Sequence, residues 1–140
     1  MKVFVDSDVV ISSLLSQSGA AYILTNAKNL QLFISNIAYQ ELKIVTERLG
    51  IEKQKLDDLL RERFKTVELE ENLSVIKGKY GNLVLDQNDA HILAGAKAES
   101  ARFLVSYSTK HFKAEEIKRV FNIISLKPAF MLQYLRSLQK

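Results

Sequence analysis

Apolar positions along the chain change period repeatedly. Lys2 to Val5 is short and β-branched, and it ends at an acidic turn, Asp6-Ser7-Asp8, beyond which Val9 to Ile11 resume the apolar run. Such a run reads as a buried strand. Ser18 is placed to cap a helix carrying Ala20, Ile23, Leu24 and Ala27, and Leu30 to Ser35 reads as a second strand. Asn36 is placed to cap a helix with Ile37, Leu42, Ile44, Val45 and Leu49 as its apolar candidates, stopped by Gly50. Leu56, Leu59, Leu60 and Phe64 form a further helical stripe, and Leu69, Leu73 and Ile76 a shorter one. After the Gly81-Asn82 break, Leu83-Val84-Leu85 leads into acidic residues and then the small-residue helix of Ala90, Ile92, Leu93, Ala94 and Ala96. Phe103 to Ser106 and Phe121 to Ser125 read as buried strands, and Pro128 opens a last helix bearing Phe130, Met131, Tyr134, Leu135 and Leu138. Strands alternating with helices predict an α/β fold on a mostly parallel sheet. At 140 residues, with one proline and no linker-like tract, the expectation is one domain over 1–140.

Composition narrows the chemistry. Apolar residues make up 47% and charged residues 26%, as in ordinary globular proteins. No apolar run approaches the roughly 18 residues of a membrane span, and Asp6 and Asp8 interrupt the N-terminal stretch in a way no secretory signal tolerates. A cytoplasmic location is expected, with no membrane partner. Cysteine is absent and only His91 and His111 are imidazoles, which argues against thiolate chemistry and a histidine-built zinc site. The net charge is +4, and the stretch 102–140 holds eight Lys/Arg against Glu115 and Glu116. That is either a solvated helix face or a hint of a polyanionic partner.

In parallel sheets, ligands collect beyond the carboxyl ends of the strands. Asp6 and Asp8 follow the first strand, Glu41 lies one turn into the helix after the second, and Asp86 and Asp89 follow Leu83-Val84-Leu85. Ser106 and Ser108 follow the Phe103 strand. Carboxylates gathered on one edge repel one another, and Mg²⁺ or Mn²⁺ between them relieves the cost. Such an ion binds phosphate and acidifies water. Each acid also has a structural reading: Asp86 as a helix cap, Asp89 as a first-turn acid, Asp8 as a turn residue, and Glu41 as a solvent-facing acid beside Lys43. Asp6, between two apolar runs, has the weakest such alternative.

Four segments resemble the PIN-domain ribonuclease family, especially its small stand-alone members that act as toxins in VapBC-type toxin–antitoxin pairs. These are Val3-Phe4-Val5-Asp6-Ser7-Asp8-Val9-Val10-Ile11-Ser12, Ile34-Ser35-Asn36-Ile37-Ala38-Tyr39-Gln40-Glu41-Leu42, Asp86-Gln87-Asn88-Asp89-Ala90-His91-Ile92-Leu93-Ala94-Gly95-Ala96 and Leu104-Val105-Ser106-Tyr107-Ser108-Thr109-Lys110-His111-Phe112. Ile123 to Leu135 resembles the family's closing strand, Pro loop and helix.

The resemblance implies a three-layer α/β/α sandwich and Mg²⁺- or Mn²⁺-dependent endonucleolytic cleavage of RNA. It implies Asp6, Glu41 and Asp89 as catalytic, metal-binding acids, Asp86 as an auxiliary acid, and an antitoxin protein and a second copy of the chain as partners. Ser108 stands where relatives commonly carry Asp or Asn, and Tyr107 where many have Gly, so a second metal position is weakened. Lys110, His111 and Lys113 follow a strand end and are candidates for RNA backbone contacts, or plain loop charges. Two other readings stay open. One is a catalytically weak or inactive PIN-fold module that binds RNA or a partner. The other is a haloacid-dehalogenase-like phosphatase, suggested by Asp6-x-Asp8 but lacking a late Gly-Asp motif; a two-component receiver fits less well still.

Overall fold

In the computed structural model, which describes residues 1–139, five strands form one parallel sheet. They are β1 (Lys2–Val5), β2 (Gln31–Ser35), β3 (Phe64–Val67), β4 (Phe103–Val105) and β5 (Ile124–Leu126), in the spatial order β3-β2-β1-β4-β5. Phe4 pairs with Phe33 on one side and Leu104 on the other. Eight helices connect and close the sheet: α1 (Ser7–Leu15), α2 (Ala20–Thr25), α3 (Asn36–Arg48), α4 (Lys53–Arg63), α5 (Leu73–Tyr80), α6 (Ala90–Ala98), α7 (Ala114–Phe121) and α8 (Pro128–Leu138). No helix among the described residues is long and apolar enough to cross a membrane.

The three layers follow from strand periodicity. Alternate side chains of a strand face opposite sides. Val3 and Val5 enter a core with Leu32, Ile34, Phe103 and Val105, covered by α1 to α4 and α8. Phe4 enters the opposite core with Phe33 and Leu104, covered by α5, α6 and α7. Burial on both faces explains why β1 reads as an unbroken apolar run.

Several elements depart from the sequence expectation. The acids after β1 are not in a turn: Asp6 is the N-cap of α1 and Asp8 lies in its first turn. Gly19, not Ser18, precedes α2. Ser35 caps α3, its hydroxyl accepting the Ala38 N–H at 3.0 Å, while Asn36 bridges to the Leu69 backbone. Ile44 and Leu49 are exposed, and α3 buries Ala38 and Thr46 beside the expected Leu42. Phe64 starts β3, a strand whose Lys65 and Thr66 masked it because they face solvent at the sheet edge. Leu83-Val84-Leu85 is no sheet strand; only Val84 makes an isolated antiparallel bridge, to Phe112. Phe121 ends α7, a helix the apolar pattern did not show because only Ile117 of it is buried, and β5 starts at Ile124. Lys140, part of the basic C-terminal stretch, lies outside the described residues.

Candidate active site

Strand order reverses at β1 and β4: the chain leaves β1 toward β2 and β3, then returns to β4 on the other flank. A crevice opens at such a point, beyond the carboxyl ends of the two strands. Asp6 and Ser106 are the residues that follow these ends.

Asp6 holds the N-cap position of α1, yet its side chain does not cap the helix. Its Oδ2 instead accepts the Ser106 hydroxyl at 2.7 Å. Burial, with the nearby Asp8 charge, pushes the Asp6 carboxyl up from 3.8 to about 7, against the Ser106 bond; Asp89 adds a smaller push. Asp8 is cradled by the loop after β4. Its Oδ2 accepts from the Tyr107 N–H at 3.2 Å, the Ser108 hydroxyl at 3.2 Å and the Ser106 hydroxyl at 3.4 Å. Burial still raises its pKa, more than these bonds lower it.

Asp89 arrives from the far side. Residues 83–85 are zipped to 111–113: Leu85 N–H donates to the His111 carbonyl at 2.7 Å and Lys113 N–H to the Leu83 carbonyl at 3.0 Å. This short antiparallel clamp sets the acidic turn beside the loop after β4. Asp86 is exposed and caps the turn by accepting the Asn88 N–H at 3.0 Å, so its structural reading holds. Asp89 occupies the N-cap of α6, again without a side-chain cap bond. Its pKa is raised by burial and by Asp86, partly offset by His111 and His91, and raised slightly further by Glu41. His111 Nδ1 is 3.7 Å from Asp89 Oδ2.

Glu41, half exposed on α3, meets His91 of α6, with 2.6 Å between Oε1 and Nε2. A carboxylate oxygen accepts, so the proton lies on Nε2. Nδ1 of His91 is buried and has no partner. Lys110 and Lys113 are exposed.

The acids therefore share one region and feel one another: Asp6 feels Asp8 and Asp89, and Asp89 feels Asp86 and Glu41. Among the described residues, no three His, Asp or Glu side chains are arranged to hold a metal ion together. The donor set is all oxygen, which suits a hard divalent cation, and a carboxyl raised to about 7 marks negative charge that a cation would relieve.

Sequence reasoning placed Ser106 at the strand end without giving it a role, and it missed His91. Ser106, fully buried, links Asp6, Asp8 and the Ser108 N–H, which donates to its Oγ at 2.9 Å. The signal was its place directly after the β4 run. The sequence carries no signal for the role of His91, because its partner Glu41 comes from a different helix far along the chain.

The PIN domain family model matches residues 2–110, a span that includes Asp6, Glu41, Asp86, Asp89 and Ser108. The chain belongs to the PIN-domain family. That membership displaces the haloacid-dehalogenase reading of Asp6-x-Asp8. Among solved structures, this PIN domain is similar to a chain of VapBC2 from Rickettsia felis bound to a promoter DNA fragment, at 21% identity and TM-score 0.61, covering 91% of this chain and 98% of that one. A toxin–antitoxin complex from Klebsiella pneumoniae matches at 18% identity and TM-score 0.63, over 90% and 97%. VapBC-1 from nontypeable Haemophilus influenzae matches at 20% and 0.59, over 92% and 99%. At such identities the likeness is one of fold. No curated protein matches the sequence significantly.

Proposed function

We propose that this PIN domain is an endoribonuclease dependent on Mg²⁺ or Mn²⁺, serving as the toxin of a toxin–antitoxin pair in the cytoplasm. The observation that carries the reading is the acid cluster at the β1/β4 crevice, with Asp6 raised to about 7. Asp6, Glu41 and Asp89 would hold the ion, with Asp86 as an auxiliary acid. Bound there, the ion would supply positive charge to a phosphate oxygen and acidity to a water.

The chain's own groups prepare the site. The Ser106 hydroxyl fixes Asp6 Oδ2, and Tyr107 N–H with the Ser108 hydroxyl fixes Asp8. Nε2–H of His91 holds the Glu41 carboxylate. His111, beside Asp89, and the exposed Lys110 are suited to contact the RNA backbone; Lys113, at the start of α7, is a weaker candidate. The structural neighbours, one described as a toxin–antitoxin complex and two as VapBC proteins, support an antitoxin partner, and resemblance extends the proposal to a homodimer.

Incubation of a mixed RNA pool with Mg²⁺, Mn²⁺ or EDTA tests the reading. Internal cleavage with metal, none with EDTA and none by Asp6→Asn is the expected result. Cleavage that survives EDTA or Asp6→Asn rejects the site. For the toxin role, expression in a bacterial host should arrest growth with the wild type and not with Asp6→Asn. One observation favours a second reading, a PIN module that binds without cutting: Ser108 offers only a neutral hydroxyl, which donates to Asp8. RNA binding with no cleavage under any metal would select it.

A further inference from the structure

Beyond Ser108 the chain passes through Thr109 and Lys110 into a groove of about 470 Å³, bounded on its other side by Ser125, Leu126, Lys127 and Phe130. Ser108 is bonded to Asp8, so the groove starts one residue from the acid cluster. Phe130 is 55% exposed, although α8 already seats Met131 and Leu132 in the core. The core therefore does not call for a phenylalanine at 130. Lys110 and Lys127 are both exposed and, among the described residues, neither is in an ion pair. Ser125 adds a buried hydroxyl without a hydrogen-bond partner.

An exposed aromatic ring lining the same groove as two ammonium groups outside any ion pair, one residue from the proposed nuclease site, matches the two halves of a nucleotide. Bases stack on aromatic side chains and phosphates pair with lysines. We propose that this groove is a subsite for single-stranded RNA, with one unpaired base on Phe130 and the flanking phosphates on Lys110 and Lys127. The inference rests on the ribonuclease reading for the identity of the polymer. It also gives that reading a strand preference: a base already stacked within a duplex cannot present its face to Phe130.

The test uses the full chain carrying Asp6→Asn, so that RNA is bound and not cut. Anisotropy of a short, labelled, mixed-sequence single strand is followed as KCl is raised. Phe130→Ala should weaken binding roughly five- to hundredfold, the range for loss of one base–aromatic stack. Phe130→Trp should retain affinity and Phe130→Leu, apolar but without a π face, should not. Lys110→Ala and Lys127→Ala should each lower the slope of log affinity against log salt by about 0.7. An RNA duplex of equal length should be indifferent to Phe130. Because Phe130 is mostly outside the core, melting temperatures should stay level and serve as the folding control.

Equal affinity of the parent, Phe130→Ala and Phe130→Leu overturns the subsite, as does equal weakening for duplex and single strand. Failure of the parent to bind RNA, or loss of only a protein partner on Phe130→Ala, overturns it too. Cleavage by the chain with Asp6 intact is measured separately. Phe130-dependent binding without cleavage sinks the nuclease reading and keeps the groove; cleavage indifferent to Phe130 does the reverse.

Discussion

Asp6 shows how one residue can be read from sequence while its chemistry cannot. An acid between two apolar runs is predictably desolvated, but the rise of its pKa to about 7 needs the burial of the folded site and the Asp8 charge beside it, which together outweigh the opposing Ser106 bond. The folded chain then holds that proton more tightly than the unfolded chain, whose carboxyl titrates near 3.8. The contribution of Asp6 to stability without metal should be fully present below about pH 4 and be lost as pH rises through about 7. Melting in EDTA across this range should show the decline, and Asp6→Asn should flatten most of it, with a residual slope from Asp8. A steeper decline in the variant would contradict the assignment.

Ser108 stands where the family resemblance expects an acid or amide, and its hydroxyl lies 3.2 Å from Asp8 Oδ2, so it faces the cluster. Ser108→Asp should lower the melting temperature in EDTA through like-charge repulsion and enlarge the gain on adding Mn²⁺. An equal or smaller gain than in wild type would place position 108 outside the metal region.

His91 is legible only in three dimensions. His91→Ala should cut cleavage roughly ten- to hundredfold and raise the Mn²⁺ concentration for half-maximal rate, the usual scale for groups that orient a metal-binding carboxylate. KM for RNA should hold, and His91→Gln, with an amide donor toward Glu41, should recover part of the rate. A loss confined to melting temperature would reduce His91 to a packing role.

At the scale of elements, the helices that carry the acids depend on small details. Ser35 caps α3 and so helps to position Glu41. Gly95 lets α6, with Asp89 at its N-cap and His91 in its first turn, lie directly on β1: a Cβ at Gly95 would be 2.5 Å from the Phe4 ring. Gly95→Ala should destabilise the protein by about 1–3 kcal/mol through overpacking, read as a lower denaturant midpoint with an unchanged slope. No loss would mean that the Phe4 ring has room to turn. Boundaries drawn from apolar runs were sound for β1, β2, β4 and α8 because both sides of those stretches, or a full helical stripe, are buried. They failed at β3, where Lys65 and Thr66 face water between the buried Phe64 and Val67, and at α7, of which only Ile117 is buried, so both patterns are diluted.

For the whole molecule, the sequence alone determined the fold class, the alternation of strands and helices, and the acids at the ends of apolar runs. Those properties are local: burial on both faces leaves an apolar run, and a run must end where the chain meets water. Tertiary structure decided the rest. The order β3-β2-β1-β4-β5 puts the ends of β1 and β4 side by side, so that Ser106 reaches Asp6 across 100 positions of sequence. The 83–85 and 111–113 clamp brings Asp89 to the same crevice, and α3 packing against α6 brings Glu41 to His91. These are contacts between segments far apart in the chain. No period or spacing encodes such partners, because each is chosen by which strands pair and which helix faces meet.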